Sequence, residues 1–222
     1  MKWFKRILLC ALAALLLAAA VLCATQWDNL TALYRSFTHT AQEILGDMES
    51  HRQDLQSALE KHHVTLAPPS VQQNEALLNG EADPQEVKES LGLDDPDAPL
   101  SLEDFEGESA DLLTTCVADL YGYQIDLMAQ LGSMKQEVVD YWNSLHPSQQ
   151  DPALLHSMGL EGLSKCFDLE VEADRQVQAI LEEYRPQLEA LGEDTAILDQ
   201  LWRYYCDAKA SQKAYYLKKY LN

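Results

Sequence analysis

The longest apolar stretch of the chain lies next to its N-terminus. All seventeen residues from Ile7 to Cys23 are apolar, and residues 7–25 carry no charge. A helix of this length spans about 28 Å, close to the ~30 Å hydrocarbon thickness of a bilayer. The basic side chains before it are Lys2, Lys5 and Arg6. Because positive flanks stay in the cytoplasm, we predict a cytoplasmic N-terminus over residues 1–6 and a transmembrane signal-anchor over residues 7–25.

Cleavage of this segment is the main alternative. Ala18-Ala19-Ala20 fits the small-x-small pattern of a signal-peptide site, and cleavage near Ala20 would release a secreted protein. Cys23 offers a lipoprotein site, but the bulky Leu22 before it fits such processing poorly. Under all three interpretations the bulk of the protein lies outside the cytoplasm.

Apolar or small residues alternate at spacings of four and three over residues 26–63. They are Leu30, Tyr34, Phe37, Ala41, Ile44, Met48, Leu55 and Ala58. This pattern predicts one long amphipathic helix, suited to a coiled coil or a bundle. His51 and His62 occupy the remaining seam positions, so we expect the helix to need other helices to bury it.

Residues 64–108 are acidic and contain several prolines. Between Glu75 and Glu108 there are twelve acidic residues and one basic residue. Such a segment buries too little apolar surface to offset chain entropy, so we predict a largely disordered linker. Within it, Asp83-Pro84 predicts the start of a short helix and Leu91-Gly92 its end.

The spacing of three and four returns over residues 109–222. Its first helix carries Leu113, Val117, Leu120, Leu127, Leu131, Met134, Val138, Tyr141 and Leu145. Asp151-Pro152 predicts the start of a second helix with apolar positions Leu155, Met158, Leu163, Phe167, Val177, Leu181, Tyr184, Leu188 and Leu191. Leu191-Gly192 predicts its end, and Asp194 or Thr195 caps a third helix. No segment alternates like a strand, so we predict an all-α protein ending in a three-helix bundle, or a four-helix bundle if the helix at 26–63 joins it.

The net charge and the motifs of the sequence exclude several classes of function. The formal net charge of −20 excludes a nucleic-acid binder, which needs a basic face. Glu60-x-x-His63 has the spacing of a di-iron bundle ligand pair, but the second such pair is missing from the sequence. Because the sequence also contains no His-Glu-x-x-His, Cys-x-x-Cys or P-loop motif, we predict no catalytic residue, no metal and no cofactor.

Two cysteines fall at matching heights in the predicted bundle. Counting helix rise from turns near 148 and 193 brings Cys116 and Cys206 to the same level within about 1.5 Å. Disulfides are permitted outside the cytoplasm, so a Cys116–Cys206 disulfide is one hypothesis. The other is that these two cysteines and Cys166 are inert thiols.

The last helix is crowded with aromatic residues. They are Trp202, Tyr204, Tyr205, Tyr215, Tyr216 and Tyr220. A helical projection places them on a wide apolar arc. The arc either packs against the preceding helices or forms a partner-binding aromatic face, since Tyr and Trp dominate binding hot spots.

These features together predict an anchored helical scaffold. It would contact the lipid bilayer through residues 7–25 and assemble through its helices with an unknown protein partner or with itself. The alternative is a secreted or tethered, sensor-like helical domain that binds a ligand. Under neither hypothesis is the protein an enzyme or a nucleic-acid binder.

Overall fold

A computed structural model of the chain describes residues 27–93 and 107–221, and over these ranges it is helical, with no strand. Seven helices are described: α1 (Trp27–Thr38), α2 (Ala41–Glu60), α3 (Val71–Asn79), α4 (Pro84–Ser90), α5 (Gly107–Ser144), α6 (Pro152–Ala190) and α7 (Ala196–Leu221). The all-α prediction is therefore confirmed at the level of fold class.

The predicted transmembrane segment, residues 7–25, lies outside the described residues. Among the helices of residues 27–93 and 107–221, none combines the length and the hydropathy that crossing a bilayer requires.

The long helix predicted over residues 26–63 is two helices. The chain bends at His39, and α2 begins after Thr40. The Thr40 amide donates to the Glu43 carboxylate at 2.7 Å, and the Glu43 amide donates to Thr40 Oγ1 at 3.2 Å. This reciprocal capping box starts a new helix, because it satisfies amides that a helix N-terminus leaves unpaired.

Residues 64–93 are ordered, unlike the predicted linker. Ser70 caps α3 with a capping box completed by Gln73. Asp83 caps α4, Pro84 opens it and Leu91 closes it, as the sequence predicts. These short helices are stable because Leu77 and Val87 are buried in a shared apolar cluster on α5. Residues 94–106 lie outside the described part of the chain.

Helices α5 and α6 form a long antiparallel pair joined by residues 145–151. The Gln150 side chain donates to the Trp142 carbonyl at 2.9 Å and so closes the end of α5. Asp151 then caps α6 by accepting from the Leu154 amide at 2.8 Å. At the far end Gly192 adopts φ +80°, a conformation that glycine reaches without strain. These boundaries confirm the predicted start and end of α6.

The chain divides into two compact units. The terminal unit contains residues 27–53 and 203–221, and the central unit contains residues 54–93 and 107–202. In the terminal unit, Ala32, Ile44, Ala214 and Tyr215 form the buried core. Arg35 donates to the fully buried Ser211 hydroxyl at 2.7 Å, which ties α1 to α7.

The central unit is built around α5. One face of α5 packs along α6. A second face of α5, which carries Ile125 and Met128, packs against α3 and α4. Two polar contacts fix the short helices there: Lys88 to Asp126 at 2.7 Å and Lys135 to Asn79 at 2.7 Å. The three-helix and four-helix bundles expected from the sequence stay predictions.

Candidate interaction surface

An apolar stripe on α6 is exposed to solvent. Leu160, Phe167 and Val171 have exposed fractions of 56%, 51% and 71%. Their spacings of seven and four residues place them within about 40° on one side of the helix, over a length of about 16 Å. We call these three residues the α6 stripe.

The α6 stripe is separate from the face that α6 buries. Ala173 lies two residues after Val171, about 200° around the helix, and its exposed fraction is 1%. Val177 and Leu181 continue this buried face toward the C-terminal end of α6. Helix α6 therefore has two apolar faces, of which one is packed and the other faces solvent.

The stripe lies on the half of the α5–α6 pair beyond the short helices. Helix α3 ends against α5 at Gly132 and Lys135. Every residue from 135 to 141 is exposed, including Val139 at 40% and Tyr141 at 53%. We call the segment 134–175, from α5 across the turn into α6, the hairpin tip.

The hairpin tip is strongly acidic. It contains eight acidic and three basic residues, a net charge of −5. Each basic side chain has a partner within the central unit: Lys135 binds Asn79, Lys165 binds Glu161 at 2.9 Å, and Arg175 binds Glu172 at 2.6 Å. Glu161 raises the pKa of Lys165, and Glu137 on α5 adds to the shift. An incoming cation would therefore meet a negative field around the stripe.

A polar contact between α5 and α6 lies in the other half of the pair. The Tyr184 hydroxyl donates to the Asp119 carboxylate at 2.5 Å. Burial, followed by this hydrogen bond, raises the pKa of Tyr184. Burial also raises the pKa of the nearby Cys116 thiol to about 12. At neutral pH the thiol is protonated and packs as an apolar group.

The hypothesised disulfide is not formed in the structure. Cys116 is buried in the central unit, whereas Cys206 belongs to the terminal unit and is partly exposed. Helix rise measures height along a bundle axis and contains no information about the direction in which a side chain points. Matching heights were therefore insufficient to pair these two residues.

The aromatic residues of α7 do not form an exposed face over the described side chains. Tyr215 is buried in the core of the terminal unit, and Tyr216 packs against it with ring centroids 5.4 Å apart. Burial raises the pKa of Tyr204 to about 12. Trp202 and Tyr205 are also partly buried, and the side chain of Tyr220 lies outside the described residues. Packing accounts for Tyr215, whereas a partly exposed aromatic face that binds a partner stays a prediction.

A cavity of about 370 Å³ opens in the central unit between the end of α2 and the starts of α5 and α7. Lys61, His62 and His63 line one side, and Glu193 and Asp194 line another. His63 has φ +60° and lies beyond the end of α2, so Glu60 and His63 do not share a helical face. Over the described ranges no cluster of His, Cys, Asp and Glu side chains could hold a metal ion.

Sequence reasoning missed the α6 stripe because it assigned Phe167 to the buried side of its helix. The signal was present in the spacing of Leu160, Phe167 and Val171, which defines a second apolar line on α6.

Comparison of the chain with protein-family models, curated proteins and solved structures finds no match.

Proposed function

We propose that this protein is a membrane-anchored, extracytoplasmic helical scaffold that presents its hairpin tip to another protein and has no catalytic activity. The observation that carries the proposal is the α6 stripe. Three large apolar side chains are exposed in one line on α6, apart from the apolar face that this helix buries. Contiguous exposed apolar surface rimmed by polar residues is typical of interaction sites.

The architecture suits a presenting role. The α5–α6 pair is held at its base by the buried side chains of α3 and α4 and by the Lys88–Asp126 and Lys135–Asn79 contacts. A binding surface on rigid helices loses little conformational entropy when a partner binds. The stripe is therefore preorganised on a fixed support.

The anchor in the proposal comes from the sequence. Residues 7–25 match a bilayer in length, and the basic residues before them orient the chain with its helices outside the cytoplasm. A tethered scaffold also gains effective concentration toward a partner in the same membrane.

The second candidate is a ligand-binding domain, and the central-unit cavity favours it. Its volume of about 370 Å³ is within the range of small-molecule sites. Its lining is rich in charged side chains, whereas such sites are predominantly apolar. The cavity therefore supports this candidate less strongly than the α6 stripe supports the scaffold.

Site-specific photo-crosslinking in the native cells tests the scaffold proposal. A photoreactive phenylalanine analogue at position 167 probes the stripe, and the same analogue at Leu191, 41% exposed on the same unit, is the matched control. We expect a discrete protein adduct from position 167 and none of that mass from position 191. Absence of an adduct from positions 160, 167 and 171, or identical adducts from stripe and control, would contradict the proposal.

A further inference from the structure

The chemistry around the α6 stripe indicates what kind of partner it fits. Resting on the proposed function, we infer that the stripe binds a cationic amphipathic helix of a partner protein. Two independent features of the stripe favour such a partner: the helical spacing of the exposed apolar residues, and the sign of the charge that surrounds them.

The apolar spacing matches a helix as the incoming element. Leu160 and Phe167 are two turns apart, and Val171 follows one turn later. An amphipathic helix presents its own apolar residues at i, i+3, i+4 and i+7, which meets a line of this length. Ser164, exposed between Leu160 and Phe167, leaves a small residue where a partner side chain can insert.

The surrounding charge selects a cationic partner. Asp168 is exposed next to Phe167 in sequence, and Glu161 and Glu172 are exposed on the same helix. The nearby cations Lys165 and Arg175 already form ion pairs with Glu161 and Glu172. Lysines or arginines flanking the apolar face of a partner helix would meet this acidic surface and be steered toward it.

The same charge argues against the other occupants. A second copy of the chain would bring two hairpin tips of net charge −5 together, which is repulsive. An anionic membrane surface would be repelled for the same reason. Self-association and membrane binding are therefore alternative outcomes of the test.

Binding of designed peptides tests the inference directly. The probe is an 18-residue helical peptide of leucine and lysine with its leucines on one face. A leucine–glutamate peptide of the same pattern and a leucine–lysine peptide with dispersed leucines are the comparison probes. The protein is the full chain in phosphatidylcholine nanodiscs, with empty nanodiscs as the blank, and the readout is fluorescence anisotropy.

Matched variants distinguish peptide binding to the apolar stripe from binding to negative charge anywhere on the protein. We expect Phe167→Ser and Val171→Ser each to weaken binding of the patterned leucine–lysine peptide at least tenfold. Leu191→Ser, which removes a leucine that is 41% exposed in the same unit but lies outside the hairpin tip, should change it less than twofold. Asp168→Lys should weaken binding at least fivefold, and Glu89→Lys, at an exposed site on α4, less than twofold. Because Phe167 and Val171 are exposed, these variants retain the fold, which circular dichroism verifies.

Several results would overturn the inference. Equal binding to Phe167→Ser and Leu191→Ser would mean that the peptide recognises charge alone. Equal binding of the glutamate peptide would mean that charge does not select the partner. Loss of self-association, or of binding to anionic vesicles, on Phe167→Ser would assign the stripe to a second copy or to a membrane. If position 167 still crosslinks a protein in cells while the leucine–lysine peptide fails, the partner chemistry is wrong and the proposed scaffold stands.

Discussion

Gly132 is the residue on which the fit of α3 against α5 depends most closely. A Cβ atom at this position would lie 2.5 Å from the Leu77 carbonyl oxygen and 3.2 Å from that of Leu78. These atoms belong to backbone, which cannot move away as the end of a flexible side chain can. Glycine therefore permits the end of α3 to approach α5 in a way that no other residue would.

Replacing Gly132 by alanine should destabilise the protein. We expect Gly132→Ala to lower the free energy of unfolding by about 1–3 kcal/mol, because a steric overlap in a packed interface forces backbone shifts. Gly122 is the matched control on the same helix, with no atom within 4 Å of a new Cβ. Gly122→Ala should raise stability by about 0.5–1 kcal/mol through helix propensity. Urea denaturation measures both, and equal effects of the two substitutions would disprove the close approach.

Cys116 should make stability sensitive to alkaline pH. Its thiol pKa is about 12 in the folded protein against an ordinary value of 9, so the folded state keeps a proton that the unfolded chain releases. The resulting stabilisation is complete below pH 9 and is lost as pH rises toward 12. Cys116→Val removes this titration, so its unfolding midpoint should fall less steeply than the wild-type midpoint over that interval. Parallel pH profiles for the two proteins would contradict the shift.

At the scale of helices, residue types near the ends were the most reliable sequence signals. Asp151 before Pro152 and Gly192 after Leu191 act through local chemistry, namely a side-chain cap and a positive φ, so the sequence alone predicts them. Thr40 and Glu43 form an equally local capping box. The sequence prediction missed this capping box because the regular apolar spacing continues through the break between α1 and α2.

The capping box at Thr40 should stabilise the first turn of α2. We expect Thr40→Ala to lower the opening free energy of amides 43–46 by about 1 kcal/mol, the typical value of an N-cap. Hydrogen exchange measures this, with Thr38→Ala, also exposed and two residues away, as the control. Hydrogen bonds from Thr40 lower the pKa of Glu43, so the bond that the Glu43 carboxylate accepts is strongest near neutral pH and is lost as pH falls below about 4.5. The bond from the Glu43 amide to Thr40 Oγ1 does not titrate. An unchanged exchange rate in Thr40→Ala would contradict the capping assignment.

Helix faces were harder to predict than helix ends. The sequence shows one apolar line on α5 through Leu127 and Leu131, whereas the structure buries a second line containing Ile125 and Met128. A helix buries a second apolar face only where another element of the protein packs against it. Because residues 64–93 were expected to be disordered from their charge, that covering element was missing from the prediction. The acidic side chains from residue 81 to residue 89 are exposed, while Leu77 and Val87 pack inward.

At the scale of the whole molecule, the division into units does not follow the order of the chain. Residues 27–53 combine with residues 203–221, which a linear reading of domain boundaries does not anticipate. Pairing of distant segments depends on tertiary packing, and a single sequence gives no direct signal of it. The same limit explains why the exposure of the α6 stripe emerged only from the structure.

The transmembrane anchor over residues 7–25 is a prediction about the whole molecule. We expect the intact protein, 25.0 kDa, in a carbonate-washed membrane pellet, because residues 7–25 are long enough to span a bilayer. Intact mass spectrometry of the pellet and of the medium or periplasm measures it. A soluble product that begins near Val21 would show that the segment is a cleaved signal peptide.

The size of the native complex shows whether the α6 stripe holds a protein partner. The full chain is extracted from its own membranes in mild detergent, and its mass is measured by native electrophoresis and light scattering. We predict that the wild-type protein and Leu191→Ser migrate in the same complex, larger than one 25.0 kDa chain, and that Phe167→Ser migrates as the single chain. A wild-type protein that migrates alone, or a complex that Phe167→Ser leaves intact, would mean that the α6 stripe does not hold a protein partner.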